Sequence, residues 1–443
     1  MSDALHHTCA TALPAGPARA LFCHRHVADY LPAAPDVLLR VAAERDARGG
    51  LRVALCAMAE AWAGAMPAAC DVETFARRHG VPVVELGAPL RLDPVAIPKP
   101  WGRELWFTGI EARGQSGVRA GDGALPLPWL LSVAGREILG KGFNKLNLLK
   151  ILDPFPDPVY GDLYFELHEE KREVYVVTRV DPASWPAGRG AIRYGFDLQV
   201  RAEYPDEQAF RSAYLRSVRA YEQVRREIDR CEDAWRNAEG YRPNDLVPAT
   251  TLRRWRAAHP PALRRAEVEA RRAMERFTQL LPVGVGDVIQ VPTRLPHALQ
   301  HGVRTVEFQT PVYERRILSF AQKVLTQDHW DTAAAVQQMR LEPPPPPPAR
   351  SVAEGPGATR ERIVAFDDFV VDRWRLLPGA SSVLREQDSY ALAMTVQGAM
   401  AVAGVTLATE SALLIPAVCG AVAIANRGSE TASLLVARPR RPE

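Results

Sequence analysis

The sequence of 443 residues lacks the features that mark membrane, secreted or nucleic-acid-binding proteins. No apolar run reaches the roughly 18 residues that a membrane-spanning helix needs. The first residues contain no basic segment followed by a continuous apolar stretch, so we expect no secretory signal. The net charge of +3 is nearly neutral for this length and gives no reason to expect a nucleic acid or a membrane surface as partner.

Cysteine is also scarce, and its positions do not form a pattern. The six cysteines are scattered without the spacing of a disulfide framework, so we expect reduced thiols in a cytoplasmic protein. Near the start of the chain, cysteines and histidines do occur together, between His6 and His26. Their spacing matches no zinc pattern, and segments rich in alanine and proline separate them. We therefore do not predict a metal site in this region.

The composition, with 47% hydrophobic and 24% charged residues, is ordinary for a soluble globular protein, and the length predicts two or three domains. We expect an α-rich N-terminal extension over residues 1–95, because 37–47 and 53–66 are rich in helix formers. A short strand is predicted within 82–87.

The rest of the chain alternates between strand-like and helix-like regions. Apolar β-branched runs between turn residues predict strands at 129–135, 148–153, 161–168, 173–180, 287–292 and 303–311. Charged residues at helical spacing predict a helical insert over 205–279 between two halves of one β domain, 96–204 and 280–340. Because acidic residues interleave with its arginines, we interpret this insert as a covering layer rather than a nucleic-acid surface.

A proline run at 343–348 indicates a semi-rigid linker over 341–361, with a ligand for a proline-recognising partner as the alternative interpretation. The last region, 362–443, contains no histidine and alternates short strands with turns. Strands are predicted at 369–376, 390–398, 400–407, 411–417, 420–426 and 432–439. This regular spacing predicts a second, metal-free β-sandwich or barrel.

Two distant segments contain the candidate metal ligands. In a strand, residues two apart point to the same face, so Glu166 and His168 project together, and Glu173 joins them after a tight turn at 169–171. His297 follows Gly286 and the apolar strand after it, and supplies a fourth ligand from a remote strand. Imidazoles and carboxylates together suit zinc, manganese or iron. The alternative is that both glutamates are solvated strand residues and His297 belongs to a turn.

These spacings are those of the two cupin signatures, and further segments resemble type I phosphomannose isomerases. Residues 99–109 (KPWGRELWFTG) resemble the opening motif of that family, and 148–153 resemble the strand that precedes its metal site. Lys171 and Glu173 match its Lys-Pro-Glu element, whose glutamate is a zinc ligand. Residues 286–299 resemble its glycine–aspartate strand followed by proline and the ligand histidine. The resemblance covers about 96–437 and is strongest over 145–320.

The resemblance implies a mainly β protein with a helical insert (α+β), built of two cupin jelly-roll barrels, here with an N-terminal helical extension. It implies one divalent metal ion, with zinc expected and manganese or iron as alternatives, held by Glu166, His168, Glu173 and His297. It implies interconversion of mannose 6-phosphate and fructose 6-phosphate through an enediolate. Glu307 would then move the proton, Arg316 would stabilise the enediolate (Arg315 if the register shifts by one), and Lys150 and Lys171 would bind the substrate phosphate.

The sequence also departs from the family pattern. The family's Gln-x-His-Pro-Asp is replaced by Glu166-Leu-His168-Glu-Glu, and the long segment between its histidine and glutamate ligands is reduced to four residues. An added carboxylate would make a bound ion a weaker Lewis acid. Two alternatives therefore stay open: a metal cupin that performs oxygen chemistry, and a sugar-phosphate-binding cupin without turnover.

Overall fold

The computed structural model describes residues 7–58, 70–345, 350–385 and 388–440. None of the helices in these ranges is both long enough and apolar enough to cross a membrane. The chain divides into two compact units. Unit 1 comprises residues 1–96, 106–150 and 347–443, and unit 2 comprises residues 97–105 and 151–346.

The elements are numbered along the chain. The first part contains α1 (Cys9–Ala12), β1 (Ala18–Val27), β2 (Asp36–Arg45), β3 (Leu51–Ala57), α2 (Val72–His79), β4 (Val84–Glu85), β5 (Leu90–Asp93), β6 (Val95–Lys99), β7 (Gly102–Trp106), β8 (Ile110–Glu111), β9 (Gly114–Gln115), β10 (Gly117–Ala120), β11 (Gly123–Pro126) and α3 (Leu127–Leu139). The middle part contains β12 (Leu148–Pro154), β13 (Phe165–Leu167), β14 (Glu173–Val180), β15 (Gly190–Phe196), α4 (Leu198–Ala202), α5 (Glu207–Ala238), α6 (Ala249–Ala258), α7 (Pro261–Glu275), β16 (Thr278–Val283), β17 (Val288–Val291), β18 (His297–Leu299), β19 (Val303–Gln309), β20 (Arg316–Ser319) and α8 (Thr332–Gln338). The last part contains β21 (Arg350–Ala353), β22 (Ala358–Ala365), β23 (Phe369–Leu376), β24 (Ser381–Leu384), β25 (Ala391–Gln397), β26 (Met400–Val402), β27 (Val405–Leu407), β28 (Ala412–Ile415), β29 (Val422–Asn426) and β30 (Ala432–Pro439).

The N-terminal region is a β-sheet, which corrects the helices predicted there. Strands β1 to β4 form one antiparallel sheet in sequence order, and β2 and β3 occupy the segments predicted as helices. The rest of the second predicted helix, 59–66, lies outside the described residues. Alanines of β2 and β3 pack under α2 around Phe75. Because β2 is a central strand, its run Leu39–Ala43 is buried throughout and loses the alternation that identifies a half-exposed strand.

The C-terminal region has the β architecture that its sequence pattern predicted. Strands β23 and β30 have the predicted bounds, 369–376 and 432–439, and pair antiparallel along their whole length. They lie in a nine-stranded sheet of order β11-β10-β5-β28-β25-β30-β23-β22-β21, and β24-β29-β26-β27 form a second sheet. Residues of both sheets share one apolar core that includes Trp374, Leu413, Ile424 and Leu434.

One segment of unit 1 has the opposite structure from the one predicted. Residues 129–135 lie inside helix α3, not in a strand. The helix has proline at its start, where the missing N–H costs no hydrogen bond. Leu127, Leu130, Val133, Ala134 and Ile138 are buried at helical spacing. The strand was predicted from the short apolar run alone, without the helical spacing of the apolar residues around it.

Unit 2 is built on two antiparallel sheets, ordered β17-β14-β19-β12-β7-β6 and β16-β15-β18-β13-β20. The predicted helical insert is confirmed as α4 to α7, between β15 and β16. Asp206 caps α5, its side chain accepting a hydrogen bond from the Ala209 N–H. Phe210, Tyr214 and Tyr221 of α5 are fully buried in the core shared by both sheets. The insert therefore forms a packed layer of the unit that carries the candidate site.

Candidate metal centre

The residues of the candidate site come from both sheets of unit 2. Glu166 of β13 pairs directly with His297 of β18, so their side chains share a face. Glu173 begins β14, which pairs with β17 and β19 in the other sheet. The tight turn predicted at 169–171 therefore does not join two paired strands, because β13 and β14 belong to different sheets. The short segment between them crosses from one sheet to the other, because both sheets contribute to one interior.

His168, Glu173 and His297 converge in this interior, and all three are almost completely buried. His168 Nε2 lies 3.3 Å from Glu173 Oε1, and His297 Nε2 lies 3.0 Å from Glu173 Oε2. The centroids of the two imidazole rings are 5.2 Å apart. Ligand atoms around a tetrahedral zinc ion lie about 3.3 Å from one another. The cluster therefore has the dimensions of a metal site.

The orientations of the two imidazole rings fit a cation between them. Nδ1 of His168 contacts the carbonyl oxygen of Glu314 at 3.0 Å, and Nδ1 of His297 contacts that of Leu295 at 3.0 Å. A carbonyl only accepts hydrogen bonds, so each Nδ1 carries a proton, and each Nε2 faces the Glu173 carboxylate. Burial, and after it the Lys171 ammonium, lower the pKa of His168. Its buried Nε2 makes no hydrogen bond within the described ranges. Two imidazoles whose Nε2 atoms face one carboxylate are a donor set that fits a divalent ion.

Glu173 is held by two further side chains. Lys171 Nζ lies 2.7 Å from Oε1, and the Tyr175 hydroxyl donates to Oε2 at 2.6 Å. Burial alone would raise the pKa of Glu173, but the cation of Lys171 and then His168 hold it well below its usual range. Lys171 is itself buried, and the carboxylates of Glu173, Glu307 and Glu166 raise its pKa against the effect of burial. Glu173 is therefore an ionised carboxylate in a fixed orientation.

Glu166, the fourth predicted ligand, lies beside this cluster. Its Oε1 is 3.9 Å from His168 Nε2, whereas Arg315 Nη1 is 3.5 Å from its Oε2. The Arg315 guanidinium also stacks on the Tyr164 ring, 4.4 Å from the centroid. Although burial opposes its charge, Glu166, Tyr164 and Glu104 raise the pKa of Arg315. A half-buried cation therefore lies next to the cluster on the side of Glu166.

The structure places the other predicted residues in different surroundings. Glu307 is buried on β19 directly opposite Tyr175, and its charge contributes to the raised pKa values of Lys171 and Tyr175. The Arg316 side chain is instead paired with two other carboxylates. Its Nε lies 2.7 Å from Glu169 Oε1, and its Nη1 lies 3.7 Å from Asp331 Oδ1. Lys150 is buried in β12, and its ammonium lies 5.6 Å from the centroid of the Trp106 ring.

His301, four residues after His297, has a structural environment. Its Nδ1 lies 2.7 Å from Asp162 Oδ1, and its backbone N–H donates to the same oxygen at 3.0 Å. Its ring stacks on Trp185 at 4.8 Å. Burial would raise the pKa of Asp162, but His301 lowers it. This histidine anchors the loop after β18 and is separate from the cluster.

Sequence reasoning missed two residues that position the cluster. Tyr175 lies two residues after Glu173 on the same strand face, so the period of two in β14 could have identified it. The Glu314 side chain accepts hydrogen bonds from the backbone N–H groups of Glu170 and Lys171. The backbone carbonyl oxygen of Glu314 contacts His168 Nδ1. It lies in an irregular segment before β20, where no periodic signal exists.

Comparisons with known proteins support the fold. No protein-family model matches the sequence, and no curated protein matches it significantly. Among solved structures, mannose 6-phosphate isomerase from Bacillus subtilis matches with a TM-score of 0.54 and 15% identity, covering 79% of this chain and 99% of that one. The apo form of mannose 6-phosphate isomerase from Salmonella typhimurium matches with a TM-score of 0.54 and 13% identity, covering 80% and 100%. The chain therefore has the cupin-type, mainly β fold of these proteins.

Proposed function

We propose that this protein is a metal-dependent sugar-phosphate isomerase that interconverts mannose 6-phosphate and fructose 6-phosphate. The observation that carries the proposal is the buried cluster of His168, Glu173 and His297 in a chain with the fold of mannose 6-phosphate isomerases. We infer one divalent ion at this cluster, with zinc expected and Glu166 as a further ligand. A bound ion of this kind supplies a Lewis acid that polarises the carbonyl and hydroxyl oxygens of a sugar.

The surrounding side chains support proton transfer between C1 and C2. Glu307, a buried carboxylate opposite Tyr175, is the proposed base that takes the proton from one carbon and returns it to the other. Arg315 is the proposed cation beside the developing enediolate, because it lies half-buried beside Glu166 while Arg316 is paired with Glu169. Lys171 holds Glu173 ionised. By the family resemblance, Lys150 is the remaining candidate for the substrate phosphate.

The experiment that tests this proposal follows the C2 proton. Zinc-loaded protein in deuterated water is expected to exchange the C2 proton of mannose 6-phosphate and to form fructose 6-phosphate, both visible by NMR. The His329→Gln variant, altered at an exposed histidine, should behave as the wild type. Metal-loaded protein that shows neither exchange nor conversion would contradict the proposal. Oxygen uptake with iron bound would instead favour a cupin oxygenase, and binding without exchange a sugar-phosphate-binding protein.

The two neighbouring arginines give a matched pair of variants. Arg315→Gln should lower kcat by about 100-fold or more, the usual effect of removing an electrostatic group at the transition state. Arg316→Gln carries the same change of charge but removes only a partly exposed pair with Glu169, so kcat should stay within about threefold. Steady-state kinetics with melting temperatures will separate lost turnover from lost folding, and Arg315→Lys should recover part of the rate. Equal losses in Arg315→Gln and Arg316→Gln would disprove the role given to Arg315.

A further inference from the structure

A second site candidate lies in unit 1, in the C-terminal β region without histidine. A cavity of about 660 Å³ opens on the nine-stranded sheet, and the charged residues of its lining, among those that the structure describes, are five arginines and three carboxylates. The net charge of the lining is therefore +2. Its volume is within the range of small-molecule sites, about 300–1,000 Å³. The arginines are Arg360, Arg362, Arg385, Arg438 and Arg440.

The strand register explains how these charges come together. Arg362 of β22 lies opposite Asp372 of β23, and Arg438 of β30 lies opposite Val370. By the alternation of strand residues, these side chains share the face that carries Trp374 and the apolar core. One end of this inward face is therefore filled by the core, and the other end presents arginines to the cavity.

The buried carboxylate in this group is surrounded by more cations than it can neutralise. Asp372 is fully buried, with Arg362 Nε 2.5 Å from Oδ1, and Arg438 Nη1 and Arg360 Nη1 at 3.3 Å and 3.7 Å from Oδ2. Glu354 forms an ion pair with Arg360, with 2.6 Å between Glu354 Oε1 and Arg360 Nε. Within the described residues, these three arginines and two carboxylates leave one positive charge in excess. Holding like charges together in a partly buried place costs free energy unless an anion joins them.

Arg438 carries this excess charge most directly. Burial lowers its pKa, and the cations of Arg362 and Arg360 lower it further, against the effect of Asp372. Its buried Nε makes no hydrogen bond to any part of the chain that the structure describes. A guanidinium presents its N–H groups as a planar fork that matches two oxygens of a phosphate or carboxylate. An anion in the cavity would therefore neutralise the excess positive charge and accept a hydrogen bond from Arg438 Nε.

We propose that this cavity binds a small organic phosphate, with the phosphate group held by Arg438 and its neighbouring arginines. A phosphate dianion matches the net charge of +2 of the lining, and the volume leaves room for an organic part beside Trp374. The site lies wholly in unit 1 and uses none of the residues of the metal centre in unit 2. The inference therefore does not depend on the proposed isomerase activity.

Calorimetric titration of the zinc-loaded full chain with inorganic phosphate and with ribose 5-phosphate tests the proposal, with ribose as the uncharged comparison. Both phosphates should bind saturably and ribose should not. Arg438→Gln should weaken binding at least tenfold, since Arg362 and Arg360 still pair with Asp372 and the fold is retained. The matched control Arg375→Gln, on the exposed side of β23, should stay within twofold. Arg385→Gln, at the exposed rim of the cavity, should weaken binding a few-fold without touching Asp372.

Three results would overturn the assignment. Absence of saturable phosphate binding is the first, and equal effects of Arg438→Gln and Arg375→Gln are the second. The third is binding that is lost in a His297→Leu variant but kept in Arg438→Gln, because the phosphate would then bind at the metal centre. Titration with citrate distinguishes the chemistry, and tighter binding of citrate than of either phosphate would contradict a phosphate site.

Discussion

Exchange of His297 for leucine is expected to weaken zinc binding by at least about 100-fold. Loss of an outer partner of a ligand already costs about 10–100-fold in metal affinity, and this change removes a ligand itself. Leucine has a similar volume and leaves Glu173 with its bonds to Lys171 and Tyr175. The metal content of the purified protein, measured by elemental analysis after dialysis at known free zinc, should fall from one ion per chain to near zero.

The same variant has a thermal signature. A ligand at 100 times its dissociation constant stabilises the native state by about 2.7 kcal/mol. For a unit of about 200 residues, this raises the melting temperature by roughly 5–10 °C. Wild-type protein should show this rise when zinc is added, and His297→Leu should not, whereas His329→Leu, at an exposed histidine, should respond as the wild type. A His297→Leu protein that keeps one tightly bound zinc ion would show that the ion lies elsewhere.

The parts of the molecule that the sequence predicted well are the short apolar segments between turns. Those at 369–376 and 432–439 identified β23 and β30 to the residue. The spacing of Glu166, His168 and Glu173 also identified a region that does converge on His297. The sequence pattern did not show which strands pair with one another. The sheet to which β14 belongs is fixed by contacts with β17 and β19, more than 100 residues further along the chain.

The failures have an equally local cause. Alanine favours helices in isolation, but in β2 and β3 its small side chain lets helix α2 pack closely on the sheet, and tertiary packing outweighed the propensity. Arg315 and Arg316 are adjacent, so a one-residue difference in register decides which of them faces Glu166 and which faces Glu169. Spacing counted from His297 does not settle that difference, because the irregular segment before β20 intervenes.

Exchange of Glu307 for glutamine is expected to lower kcat by about 100-fold to 10,000-fold, the range of a positioned acid–base group. Glutamine keeps the shape of the side chain and the strand pairing opposite Tyr175 but does not take up a proton. Because a base acts only in the transition state, KM for mannose 6-phosphate should change little. Zinc affinity should stay within about threefold, since Glu307 does not belong to the cluster. Steady-state kinetics, C2 proton exchange and zinc titration of the same preparation give all three quantities.

The control for this variant is Glu170→Gln, which makes the same change of charge at an exposed position in the loop before Glu173. Its kcat should stay within about twofold of the wild type, because an exposed charge in that loop is screened by solvent. A Glu307→Gln protein that binds zinc and turns over at the wild-type rate would exclude Glu307 as the base. Another buried group would then have to transfer the proton. Tyr175 is one candidate, because it lies opposite Glu307 and its hydroxyl donates a hydrogen bond to Glu173. Loss of C2 proton exchange together with loss of zinc binding would instead assign Glu307 to the metal site. Zinc affinity therefore decides between the role of a base and the role of a ligand.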